Sequence, residues 1–145
     1  MGVNVGSGRQ RIAIINTIAE IARVAEIVEE FCAGHDVPPG TAFKLNVVVE
    51  ELLVNTISYG FPDEGSHQID MEIGVEGSDV IITLDDDGVA FDPLADAPPP
   101  DLDSAIEDRK IGGLGVFFVK TMMDEVKYVR EAGRNRIVLK KRIAE

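Results

Sequence analysis

Apolar residues recur along this chain in two rhythms, every three to four positions in its first half and every second position later on. After the short apolar run Ile12 to Ile15, Asn16 is placed to cap a helix. Ile18, Ile21, Ala25, Val28 and Cys32 then follow at helical spacing until Gly34 stops it. Beyond the "DVPPG" loop, Leu45, Val48, Val49, Leu52, Leu53 and Ile57 keep the i, i+3, i+4 pattern of a second helix. Gln68 to Val75 alternates polar and apolar residues, which predicts a strand with one wet face. Asp79 to Leu84 is the next strand, joined to it as a hairpin through "EGSD". A long polar stretch holding "APPPD" precedes a nearly all-apolar helix from Leu114 to Met123, and "EVKYVREAGRNRIVLKK" reads as a final hairpin turning at Gly133. No internal repeat is visible.

Helices on one side of a sheet built from hairpins predict an α+β fold, a two-layer sandwich in which about three helices cover one face of a mixed, mostly antiparallel sheet. A doubly wound Rossmann sheet is disfavoured, because alternating βαβ units are missing and "GGLGVF" is not a full G-x-G-x-x-G. A P-loop is disfavoured too, since no glycine directly precedes Lys120-Thr121.

The length of 145 residues fits one domain, 1–145, with a substantial core. No apolar stretch approaches the roughly 20 residues of a membrane span. The opening "MGVNVGSGRQ" lacks the blocks of a secretory signal, and Gly6 breaks the myristoylation pattern. The single cysteine, Cys32, excludes an internal disulfide and reads as a packing residue suited to a reducing compartment. Together these features predict a cytoplasmic protein. A formal net charge of -12 argues against direct nucleic-acid binding. Half of the 14 Lys and Arg residues fall between Lys127 and Arg142, either as the wet face of the hairpin or as a basic docking surface.

Three segments carry candidate chemistry. In "LDDDGVAFDP" the period of two that turns Val80, Ile82 and Leu84 inward also turns Asp86 inward, while Asp85 and Asp87 point away. An inward carboxylate is costly unless something donates hydrogen bonds to it. A purine amine would do so, with Gly88 leaving room for a flat ring, and an aspartate-rich turn is the alternative. On the second helix Glu51 and Asn55 stand four apart at the margin of the apolar stripe. They are either a pocket wall holding a proton acceptor and a cation ligand, or a solvated edge; Glu50 turns away from them. In "KIGGLGVFF", Gly112, Gly113 and Gly115 open a helix whose free amides suit an anion, with Arg109 and Lys110 beside them, or else form a hinge.

In this order and spacing the segments resemble the ATP-binding domain of the gyrase and histidine-kinase type, the Bergerat fold. Glu51 to Asn55 is similar to its N box, "DDGVAFDP" to its first glycine box and "GGLGVFFVKTMMDEV" to its second. The run "FKLNVVVEELLVNTISYGF" resembles more specifically the stand-alone anti-sigma factor serine kinases of bacterial partner-switching systems. One departure stands out: Ala90 occupies a position where that family usually has a second glycine.

The resemblance implies an ATP-dependent protein serine kinase that sequesters a sigma factor and phosphorylates its antagonist protein, acting as a homodimer. It implies that Asp86 reads the adenine amine, with Gly88 and Ala90 beside the base, that Asn55 holds Mg2+, and that Glu51 is the general base. Arg109, Lys110, Gly112, Gly113, Leu114, Gly115 and Val116 would receive the phosphates, and residues 93–111 would form a lid. The alternative is a non-catalytic nucleotide- or partner-binding module of the same fold. A complete sensor histidine kinase is disfavoured, because His35 and His67 fall in predicted loops rather than on a dimerisation helix.

Overall fold

The computed structural model describes residues 8–95 and 119–144. Five strands form one sheet in the order β1-β2-β3-β5-β4: β1 Arg9–Ile15, β2 Gln68–Glu76, β3 Asp79–Asp86, β4 Glu125–Glu131 and β5 Arg134–Arg142. Two helices, α1 Ile21–Gly34 and α2 Pro39–Tyr59, occupy the connection between β1 and β2. Every pairing among the described strands is antiparallel, in keeping with the mostly antiparallel sheet expected from sequence. The two helices between β1 and β2 deliver the chain back to the end where β1 finished. Ile15 therefore pairs with Gln68, and β2 runs back along β1.

The strands bury alternate residues. Ile12 and Ile14 of β1, Ile69, Met71 and Ile73 of β2, Val80, Ile82 and Leu84 of β3, and Ile137 and Leu139 of β5 make one apolar layer. Val24, Val28, Phe31 and Cys32 of α1, and Leu45, Val48, Val49, Leu52 and Leu53 of α2, complete the core. Pro39 sits in the first turn of α2, where its missing N–H costs no hydrogen bond. The other face of the sheet is wet and laced with ion pairs, such as Arg11 with Glu72 and Arg134 with Asp70. The hairpin β4–β5 turns through Ala132 (φ 53°) and Gly133 (φ 75°), the paired left-handed residues of a two-residue turn whose twist matches its strands.

Two details of the first helix differ from the expectation. Asn16 does not cap it: Nδ2 donates to the Gly65 carbonyl (3.0 Å) and Oδ1 accepts from the His67 N–H (2.8 Å), which ties the end of β1 to the start of β2. A single 3-10 turn, Ile18–Glu20, intervenes, and the α-helix begins at Ile21. Its buried stripe is consequently set by Val24, Val28 and Phe31, while Ile18 is 55% exposed. The run at Ile12 to Ile15, unassigned from sequence, belongs to strand β1. Of the helix expected from Leu114 to Met123, residues 119–122 are helical and Met123, buried, follows the helix; residues 114–118 lie outside the described residues.

Candidate functional site

Asp86 ends β3 on the helix-covered face and is only 4% exposed, whereas Asp85 is half-buried and Asp87 exposed, as the period of two requires. Its Oδ1 accepts from the Gly88 N–H (2.8 Å) and from Nδ2 of Asn135 (3.0 Å). Among the described residues both bonds reach Oδ1, so Oδ2 is the atom left for a ligand.

Gly88 has a different reason to be glycine from the one expected. A Cβ there would lie 2.5 Å from the Gly60 carbonyl oxygen and 3.1 Å from Cε1 of Phe61. Protein atoms, not an open slot, fill the space beside it, and the next residue seals the contact with a 2.9 Å bond from the Val89 N–H to the Gly60 carbonyl. Ala90 is exposed, and its φ is not among the positive ones, so its backbone does not call for glycine.

The Gly60 contact brings the end of α2 against the loop that follows Asp86. At about 1.5 Å of rise per residue, Asn55 stands roughly 7 Å and Glu51 roughly 13 Å back along α2 from that junction. Asn55 is 1% exposed, and its Nδ2 donates to Oε2 of Glu51 across 2.7 Å. With its nitrogen engaged, Asn55 has Oδ1 to offer a hard cation. Among the described residues no three carboxylates, histidines or cysteines converge on a metal position. A single neutral oxygen from Asn55 suits an ion held mostly by water and by the phosphates of its substrate, the habit of Mg2+. Burial raises the carboxyl of half-buried Glu51 above the ordinary glutamate range; the Asn55 hydrogen bond opposes that rise, and the charge of Glu50 adds to it.

Sequence reasoning missed a second set of residues around Asp86. Asn135 of β5 is 2% exposed and pairs with Asp86 in the ladder; its Nδ2 also donates to the Val89 carbonyl (2.8 Å), and its Oδ1 accepts from the Phe91 N–H (3.3 Å) and the Tyr128 hydroxyl (2.5 Å). Arg130 reaches the Gly88 carbonyl (2.7 Å). This arginine leaves the basic hairpin for the loop, while Arg134 and Arg136 pair with Asp85 on the wet face. The signal was present: Asn135 shares its parity with Ile137 and Leu139, so the rule that turned Asp86 inward also applies to it.

Beside the same loop, the ring of His67 stacks on Phe61 (4.7 Å between centroids). It faces two carboxylates, Asp63 at Nε2 (2.9 Å) and Asp87 at Nδ1 (3.2 Å). Cys32 is buried among core residues and its thiol is pushed up to about 11 by desolvation, in keeping with a packing role. The expected phosphate contacts Arg109, Lys110, Gly112, Gly113, Leu114, Gly115 and Val116 lie outside the described residues, as does all of the expected lid beyond residue 95. Among the described residues no helix is long and apolar enough to cross a membrane.

Comparison with known proteins places the chain in a family and supports the fold. A family profile described as a histidine kinase-like ATPase domain matches residues 14–141. A serine-protein kinase RsbW from Listeria monocytogenes is 30% identical over 99 residues, covering 66% of this chain and 63% of the relative. The RsbW of Oceanobacillus iheyensis is 29% identical over 104 residues, covering 70% of this chain and 65% of the relative. The matched stretch thus spans less than two thirds of these relatives. Among solved structures, the RsbU and RsbW domains of a Mycobacterium tuberculosis protein superpose with a TM-score of 0.66 at 15% identity, over 93% of this chain and 32% of that one. A blue-light activated histidine kinase from Erythrobacter litoralis gives 0.57 at 18% identity, over 87% of this chain and 41% of that one. At such identities the structural likeness speaks for the fold.

Proposed function

The chain belongs to the histidine kinase-like ATPase domain family, and from that premise we propose that it is an ATP-dependent protein serine kinase and anti-sigma factor of a partner-switching system. Relatives named serine-protein kinase support the choice of acceptor. The single observation that carries the reading is the order of groups along α2. The inward Asp86 lies at its C-terminal end, the buried Asn55 comes next, and a half-buried Glu51 hydrogen-bonded to it stands further back. A nucleotide laid along this edge has its base at Asp86 and its terminal phosphate toward Glu51.

In this reading Asp86 Oδ2 accepts from the exocyclic amine of adenine. Asn55 Oδ1 would hold Mg2+, whose charge offsets that of the phosphates when it is bound. Glu51 accepts the proton of a serine hydroxyl as that oxygen bonds to the γ-phosphorus and the bond to the bridging oxygen breaks, releasing ADP. A carboxyl raised by burial is a better base at neutral pH than an exposed one. The acceptor is the antagonist protein that competes for a sigma factor held by a homodimer of this chain in the cytoplasm. An acidic protein tolerates an acidic ligand here because adenine meets the carboxylate while the phosphates meet amides and cations.

The test is a pull-down from the native cell, followed by incubation of the captured proteins with the purified chain, MgATP and a γ-phosphate label. Transfer of label to serine on a small co-purifying protein supports the kinase. Binding of MgATP without transfer to any captured protein favours the non-catalytic module. Absence of MgATP binding by calorimetry overturns the nucleotide reading.

A further inference from the structure

Asn135 is used to capacity. A side-chain amide has two N–H donors and an oxygen with two lone pairs. Here Nδ2 donates to Asp86 Oδ1 (3.0 Å) and to the Val89 carbonyl (2.8 Å), while Oδ1 accepts from the Phe91 N–H (3.3 Å) and the Tyr128 hydroxyl (2.5 Å). The orientation of the amide decides what Asp86 presents. Were the amide turned over, its oxygen would face two further oxygens, Asp86 Oδ1 and the Val89 carbonyl, and its nitrogen would meet the Phe91 N–H. The Asp86 carboxylate, the Val89 carbonyl and the Phe91 N–H oppose that flip, and the Tyr128 hydroxyl anchors Asn135 Oδ1 in the orientation they set. The tyrosine is held on the inward face of β4, opposite Ile137.

Building on the ATP reading above, we propose that Tyr128 is a positioning residue for base selection. Its hydroxyl fixes Asn135, Asn135 occupies Asp86 Oδ1, and the free oxygen Oδ2 is presented as a pure acceptor that admits a 6-amino purine and rejects a 6-oxo purine. Tyr128 touches no ligand in this scheme; it acts two hydrogen bonds away. Arg130 completes the clamp by holding the Gly88 carbonyl (2.7 Å), so the loop carrying the base contact is fastened by the last hairpin as well as by α2. Desolvation raises the Tyr128 hydroxyl above its ordinary value, which keeps it protonated and able to donate at neutral pH.

The relay is tested with Tyr128→Phe, which keeps the ring and removes the hydroxyl. Calorimetric Kd values for MgATP and MgGTP are measured on wild type and variant, with KM and kcat on a phosphorylatable antagonist. The expected result is a Kd and KM for ATP raised about tenfold, a narrowed ATP-to-GTP preference and an unchanged kcat at saturating ATP. A shift of the Asn135 side-chain amide pair in the 15N spectrum should accompany it. A variant with lowered thermal stability but wild-type Kd and base preference overturns the relay and leaves Tyr128 a packing residue. Should Tyr128→Phe not fold, Tyr128→Leu is read by the same measurements. A wild-type protein that binds MgATP no better than MgGTP overturns the adenine reading itself, a result seen before any variant is made.

Discussion

Asn55 and Glu51 share one hydrogen bond, Nδ2 to Oε2 at 2.7 Å, across a single turn of α2. The bond turns the amide oxygen away from the carboxylate, so one side chain can face a cation while the other faces a hydroxyl. Replacing Glu51 by Gln keeps the shape and removes the proton acceptor. Phosphoryl transfer is expected to fall about 10²- to 10⁴-fold, with MgATP affinity within about a factor of two of wild type. Single-turnover label transfer and calorimetry on the same preparation check both halves; unimpaired transfer would remove Glu51 from the base role.

The raised carboxyl of Glu51 predicts the pH profile. Its ordinary value is near 4.5, and burial moves it upward, so the acid limb of the rate profile should lie above that value and vanish in Glu51→Gln. The same shift has a cost in stability. Because the folded state favours the protonated form, the stabilisation is complete below the unfolded value and is lost as pH rises through the folded one. At pH 7 Glu51→Gln should therefore melt higher than wild type, and the gap should narrow as pH falls toward the ordinary carboxyl range. Differential scanning calorimetry across that range decides this; a variant that melts lower at pH 7 contradicts the burial account.

His67 gives a second pH signature of the same sign, from a charged rather than a neutral favoured form. A neutral imidazole carries one N–H, yet both ring nitrogens of His67 face carboxylates, Asp63 and Asp87, and the hydrogen bond to Asp63 is the main cause of its raised pKa. Asp87 also lies within electrostatic reach of Arg134. The stabilisation is complete below the ordinary histidine value of 6.5 and is lost as pH rises through the raised folded value. Urea midpoints of wild type and His67→Gln should thus differ most near pH 6 and draw together as pH rises above it. A gap that does not narrow with rising pH would show that packing on Phe61, not charge, is the contribution of His67.

What was legible in the sequence followed from parity and period. Asp86 was placed correctly because β3 alternates without interruption from Val80, and Glu51 with Asn55 because four residues bring two side chains to one face of any helix. Strand β1 escaped because its outward residues include Ala13 and Ile15, which disguise the alternation of Ile12 and Ile14 as a plain apolar run. Asn16 looked like a helix cap because capping side chains and strand-closing side chains use the same donors and acceptors, and only the position of residues 65–67 tells them apart. The role of Asn135 needed the register of β5 on β3, a long-range pairing that no local pattern encodes.

The meeting of Gly88 with Gly60 was likewise invisible from either end alone, and it supports the last prediction. Gly88→Ala would set a methyl 2.5 Å from the Gly60 carbonyl oxygen, 2.9 Å from Asp86 Oδ1 and 3.1 Å from the Phe61 ring. The first neighbour is backbone at the end of a helix, so it cannot swing aside as a flexible side chain would. Either the loop lifts and loses the Val89 to Gly60 bond, or α2 shifts against the sheet. Both routes cost about 1–3 kcal/mol, and both move Asp86 away from the position in which Asn135 holds it. The urea midpoint of Gly88→Ala should fall accordingly, and MgATP affinity should weaken more than that of a core variant matched in stability, such as Ile73→Val. Equal affinity losses in the two variants would mean that the junction contributes to stability only, and that the base contact does not depend on how α2 meets the loop.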